Sequence, residues 1–89
     1  GVTWRIEYLR SVRKAVEKLD PAERRRIRTF LERRVATRDD PRDLAKPVKG
    51  EAEALWRFRV GDYRIISEIR DDALVVLVIR VGHRREVYR

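Results

Sequence analysis

The stretch Leu55-Trp56-Arg57-Phe58-Arg59-Val60-Gly61-Asp62-Tyr63-Arg64-Ile65-Ile66 decides the fold. Trp56, Phe58 and Val60 alternate with Leu55, Arg57 and Arg59, the period-two pattern of a strand with one buried face. Gly61-Asp62 then supplies a two-residue hairpin turn with glycine first. On the return, Tyr63, Ile65, Ser67 and Ile69 share one face, while Arg64, Ile66 and Glu68 share the other. Two antiparallel strands are predicted, with Trp56 and Phe58 in the core and Arg57 and Arg59 on the sheet surface.

Downstream, Asp71-Asp72 marks a second turn. The nearly unbroken apolar run from Ala73 to Val81 predicts a central strand buried on both faces. Gly82 reads as its end, and His83 to Arg89 as a short polar tail. Upstream, Val2, Trp4 and Ile6 alternate with Thr3, Arg5 and Glu7, predicting a strand over 2–8. Leu9, Val12, Val16 and Leu19 follow helical spacing, so a helix is expected to end near Asp20. Asp20-Pro21-Ala22-Glu23 reads as the start of the next helix, with Asp20 as cap and Glu23 completing a capping box. That helix carries the apolar stripe Ile27, Phe30, Leu31 and Val35. Residues 37–50 read as loop. The order β-α-α-β-β-β predicts one α+β domain over residues 1–89. An N-terminal helical hairpin packs on one face of a mostly antiparallel four-stranded sheet, and the face carrying the arginines stays open.

Composition narrows the chemistry. The 89 residues include no cysteine and a single histidine, His83, so no disulfide, thiolate zinc site or histidine-rich metal cluster is expected. The absence of cysteine fits a reducing cytoplasm. No apolar run approaches the ~20 residues of a membrane span. The net charge is +8, and the 23 basic residues include 19 arginines, whose planar forks match phosphate oxygens. Residues 1–50 hold 15 basic and 8 acidic residues against 8 and 7 in residues 51–89, so most of the excess falls on the helical half. A polyanionic partner follows from this balance, either nucleic acid or an acidic protein segment.

Two motifs, Trp56-Arg57-Phe58-Arg59-Val60-Gly61-Asp62-Tyr63-Arg64-Ile65-Ile66 and Arg80-Val81-Gly82-His83-Arg84-Arg85-Glu86-Val87-Tyr88, resemble those of the RelE/ParE toxin superfamily, and more closely its RelE branch. The β-α-α-β-β-β order and the basic helical hairpin resemble it too. The resemblance implies a toxin of a type II toxin–antitoxin module that cuts mRNA in the ribosomal A site without metal or other cofactor. It implies a cognate antitoxin as partner, contact with ribosomal RNA, operator DNA bound only through the antitoxin complex, and a cytoplasmic setting without a membrane.

Carried over by position, the resemblance implies catalytic roles for Arg64, Arg84, Tyr88 and His83. Arg57, Arg59, Lys49 and Arg85 are expected to hold RNA. Relatives often have lysines at the positions of Arg57 and Arg59, and a guanidinium is a poor base because it stays protonated. Proton transfer therefore falls to Tyr88 or His83, and the choice stays open. The helix arginines are expected to hold ribosomal RNA or antitoxin. Two other readings of the same fold are a ParE-like inhibitor of DNA gyrase and a module that binds RNA or antitoxin without catalysis.

Overall fold

The computed structural model describes residues 3–83. Strand β1 (Arg5–Tyr8) is followed by helix α1 (Arg10–Glu17), helix α2 (Pro21–Thr29), a π-helical turn (Phe30–Val35) and a 3₁₀ turn (Pro41–Leu44). Strands β2 (Lys46–Pro47), β3 (Trp56–Val60), β4 (Tyr63–Arg70) and β5 (Val75–His83) complete one sheet, ordered β1-β5-β4-β3-β2. β1 runs parallel to β5, and every other pairing is antiparallel.

The α+β class and the long meander are as the alternation predicted, but the sheet has five strands rather than four. The extra one, β2, lies in the stretch read as loop. Its two residues are too few to show alternation, and they join the edge through Lys46 opposite Arg57 and Pro47 opposite Trp56. A proline is tolerated there because the edge needs no second ladder. β1 is shorter than the predicted strand. β5 begins two residues later than predicted, after a turn in which Leu74 adopts φ 53°. It also continues through Gly82 to His83, so Gly82 is a strand residue and not a stop.

α1 ends at Glu17 because Lys18 and Leu19 donate to the carbonyls of Ala15 and Val16, three residues back, tightening the last turn. At the start of α2 the predicted capping box is absent, and the Asp20 side chain makes no cap hydrogen bond. Pro21 removes one donor that a cap would have served, and the exposed first turn leaves the rest to water. Beyond Thr29, Ile27, Leu31 and Val35 recur every four residues, which overruns a 3.6-residue turn. The π-helical turn absorbs that mismatch. Ala36 donates to the Leu31 carbonyl at 2.9 Å, and all three side chains are fully buried.

The core lies between the helices and one sheet face. Phe58, Ile65, Val76 and Val78 from the sheet meet Val12, Val16, Ile27, Leu31 and Val35. Phe58 is fully buried and meets Phe30 edge-on at 6.3 Å, while Trp4 is 5% exposed. Trp56 is only half-buried, and the Arg42 guanidinium lies 5.6 Å from its ring centre.

Candidate functional site

Antiparallel neighbours point to the same side, so the register places side chains without ambiguity. Arg59 pairs with Arg64, Arg57 with Ile66, and Lys46 with Arg57. All lie on the sheet face away from the helices, because Phe58 and Ile65 occupy the other. Lys46, Arg57, Arg59 and Arg64 line a cleft of about 540 Å³, walled by Asp43, Leu44 and Ala45. Among the described residues, four cations and one carboxylate line a concavity wide enough for a sugar–phosphate segment.

The four are not equivalent. Arg59 and Lys46 are exposed, Arg57 is half-buried, and Arg64 is only 3% exposed. Burying a guanidinium is costly, so the fold must hold Arg64 in place. Its β5 neighbour is Gly82, which has no side chain to compete for that space. Alternation assigns a face but not a depth, so the burial of Arg64 could not be read from its strand. The place of Gly82 opposite it was the available signal.

A strut steadies the cleft wall. Arg42 bonds both carboxylate oxygens of Asp71, at 3.1 and 2.6 Å, and Asp40 at 3.1 Å. The bond to Arg42 lowers the Asp71 pKa below the ordinary carboxylate range. The strut ties the 3₁₀ turn to the β4–β5 turn and so fixes the segment Asp43–Lys46.

His83 lies elsewhere. It pairs with Tyr63, whose ring meets the imidazole edge-on at 5.7 Å, and it lines a second cleft with Lys14, Lys18 and Leu19 on the helical side. The structure therefore brings Arg57, Arg59 and Arg64 together and sets His83 on the opposite face. Lys49 sits in an exposed turn and does not line the Arg64 cleft. Arg84, Arg85 and Tyr88 lie outside the described residues. Nothing in the sequence marks Lys46, because its strand is two residues long and shows no alternation. Among the described residues no three His, Cys, Asp or Glu side chains gather as metal ligands, and no helix is long and apolar enough to cross a membrane.

Comparison with known proteins gives the frame. Residues 4–88 match the family described as ParE toxin of type II toxin-antitoxin system, parDE. Toxin RelG of Mycobacterium tuberculosis is 34% identical over 50 residues, 56% of this chain and 58% of that protein. Toxin RelE of the same organism is 35% identical over 51 residues, 57% of this chain and 53% of that protein. The aligned part thus spans little more than half the length of these curated relatives. The structure resembles the toxin–antitoxin complex RelBE2 of M. tuberculosis with a TM-score of 0.83 and 25% identity, covering 93% of each chain. It resembles the archaeal RelE–RelB complex of Pyrococcus horikoshii with a TM-score of 0.67 and 27% identity, covering 93% of this chain and 97% of that one. The match across almost the whole chain and the shared fold together make this protein a member of the RelE/ParE superfamily of type II toxin–antitoxin toxins.

Proposed function

We propose that the chain is a ribosome-dependent endoribonuclease that cuts mRNA, held inactive by a cognate antitoxin. The observation that carries this reading is the buried Arg64 in a cleft that Lys46, Arg57 and Arg59 also line. RNA cleavage of this kind begins when a ribose 2′-hydroxyl attacks the adjacent phosphorus. The P–O5′ bond breaks, leaving a 2′,3′-cyclic phosphate and a 5′-hydroxyl. The phosphorane gains negative charge, which a fixed guanidinium stabilises without reorganising. Arg64 suits that role because its position is set before substrate arrives. Arg59 and Lys46, both exposed, and the half-buried Arg57 would track the flanking phosphates.

The proton is taken from the 2′-hydroxyl and given to the departing O5′ by groups other than arginine. Tyr88 is the preferred candidate, with Arg84 as a second charge-stabilising group and Arg85 as a further phosphate contact. His83 faces α1, away from Arg64, which favours Tyr88 for the transfer. The similar structures of M. tuberculosis RelBE2 and P. horikoshii RelE–RelB are toxin–antitoxin complexes, which supports an antitoxin partner for this chain as well. Cytoplasmic action follows from the substrate.

The test is mapping of mRNA 5′ ends after induced expression of wild type, Arg64→Ala, Arg84→Ala and Tyr88→Phe. New 5′-hydroxyl ends within codons are expected for wild type and should be lost in the variants. Cuts indifferent to all three substitutions would sink the assignment. The ParE description of the matching family keeps gyrase inhibition as a second reading. Accumulated gyrase–DNA cleavage complexes with intact mRNA would establish it instead.

A further inference from the structure

The helical side holds a basic concavity that the proposed RNA chemistry does not use. Tyr8, at the end of β1, and Val16 of α1 line a cleft of about 280 Å³ together with Arg13, Glu17, Arg24 and Arg28. It lies on the core side of the sheet, because Tyr8 packs against the buried cluster. The Tyr8 hydroxyl is buried and has no hydrogen-bond partner among the described residues. A buried hydroxyl of this kind needs a hydrogen-bond partner, and the cleft is where one can reach it. Burial, with help from Glu32, pushes the Tyr8 pKa up to about 12, so the group remains a neutral O–H donor at physiological pH.

We propose that this cleft receives a carboxylate side chain from an acidic protein segment, gripped by Arg13, Arg24 and Arg28 and by the Tyr8 hydroxyl. The arginines are suited to it. Among the described residues Arg13 has no ion pair, Arg24 bonds the Glu17 carbonyl at 3.1 Å, and Arg28 is 3.6 Å from Glu32 with its side chain 59% exposed. These long, solvated side chains can part to admit an oxygen and close on it. Arg24 and Arg28 also line the neighbouring concavity along α2, so a bound segment can run from one to the other.

Two features favour protein over RNA. The Tyr8 ring and Val16 give the cleft an apolar lining, which the aliphatic stem of Asp or Glu covers and a phosphodiester does not. Glu17 and Glu32 flank the arginines and would repel the next phosphates of a nucleic acid, whose charges recur at every nucleotide. A peptide is free to place neutral or basic residues there.

The test uses the full chain and two fluorescent probes: a short synthetic peptide with Glu and Leu at helical spacing, and a single-stranded RNA of similar length. Binding is read by anisotropy and thermal stability by circular dichroism, for wild type, Tyr8→Phe and the double variant Arg13→Gln/Arg28→Gln. Tyr8→Phe should weaken the peptide about tenfold, as loss of a hydrogen bond to a charged group does. It should leave RNA affinity within about twofold and should not lower thermal stability, since the hydroxyl has no partner among the described residues. The double variant should weaken the peptide at least as much as Tyr8→Phe does. Peptide affinity unchanged in both variants overturns the proposal. RNA affinity falling alongside it would assign the cleft to phosphate and also overturn it. A drop in stability for Tyr8→Phe would show the hydroxyl serving the fold, with the same consequence. Failure here leaves the mRNA-cleavage reading intact, because Tyr8 packs on the core face of the sheet and Arg64 lies on the other.

Discussion

The open sheet face and the helical side both gather arginines, yet they hold them differently. On the sheet, Arg64 is almost fully buried and its β-ladder neighbours fix the direction of its side chain. On the helices, Arg24, Arg25 and Arg28 project from single turns, and Arg28 keeps most of its side chain in water. A buried cation on a sheet is preorganised and suits charge that develops in a transition state. Exposed cations on a helix adapt to a partner and suit recognition. Similar composition thus divides into two roles according to the element that carries it.

The sharpest way to break this division is to neutralise one arginine on each side. Arg64→Met should lower single-turnover mRNA cleavage by roughly 10²–10³, the usual cost of losing a preorganised donor. Arg24→Met should change it by no more than about fivefold, as expected of a half-buried helix charge outside the cleft that holds Arg64. Equal losses would mean that the helices take part in the chemistry.

The next effect concerns the frame under the sheet arginines. Gly61 turns the β3–β4 hairpin at φ +58°, and a Cβ there would lie 3.0 Å from an Arg26 guanidinium nitrogen. Gly61→Ala should destabilise the fold by roughly 1–2 kcal/mol, the cost of a left-handed backbone for an ordinary residue. Arg26 can swing aside, since it is exposed. Chemical denaturation measures the change, and an unchanged midpoint would show that the turn tolerates a side chain.

This hairpin was also the most legible part of the sequence. Alternation from Leu55 to Val60, then Gly61-Asp62, gave strands, turn and faces together because each signal is local. Other features depend on what lies opposite. β2 holds two residues, one of them proline, and exists only because Arg57 and Trp56 present an edge. Gly82 looked like a terminator because a glycine weakens an isolated strand, yet here it sits beside Arg64 inside the sheet. With Gly82 in the strand, His83 falls on the face of Tyr63 and leaves the arginine cleft. The orphaned Tyr8 hydroxyl was invisible for the same reason. The sequence shows an aromatic in a first strand, and only packing reveals that its oxygen is buried without a partner among the described residues.

A smaller effect tests the wall of the sheet-side cleft. Arg42→Ala should cost about 1 kcal/mol, the scale of a cation over a tryptophan ring together with partly exposed ion pairs. Its pH dependence has a definite sign. Arg42 depresses the Asp71 pKa in the folded state, so this contribution is present above the ordinary aspartate value of about 3.9. It is lost as pH falls through the lower folded value. The stability gap between wild type and Asp71→Asn should therefore be constant near neutral pH and shrink under acid. A gap that widens on acidification would contradict the bond.

The smallest expected change in stability belongs to the helical side. Glu32 and Arg28 form an exposed i,i+4 pair at 3.6 Å, so Glu32→Gln should shift unfolding by less than about 0.5 kcal/mol. The same substitution should still be visible at Tyr8. Burial and then Glu32 raise that hydroxyl's pKa to about 12, while Arg28 and Arg13 lower it. Removing the Glu32 charge leaves the burial and the arginines, so the Tyr8 pKa should drop while staying above the ordinary tyrosine value of about 10. Nuclear magnetic resonance of the Tyr8 ring, followed as pH rises, reports it. In wild type, the raised pKa gives stability that is present below pH ~10 and lost as pH climbs through the folded value. In Tyr8→Phe that alkaline loss should diminish. A Tyr8 titration insensitive to Glu32 would mean that helix charges do not reach the buried hydroxyl. The two sides of the molecule would then differ in exposure but not in electrostatic design.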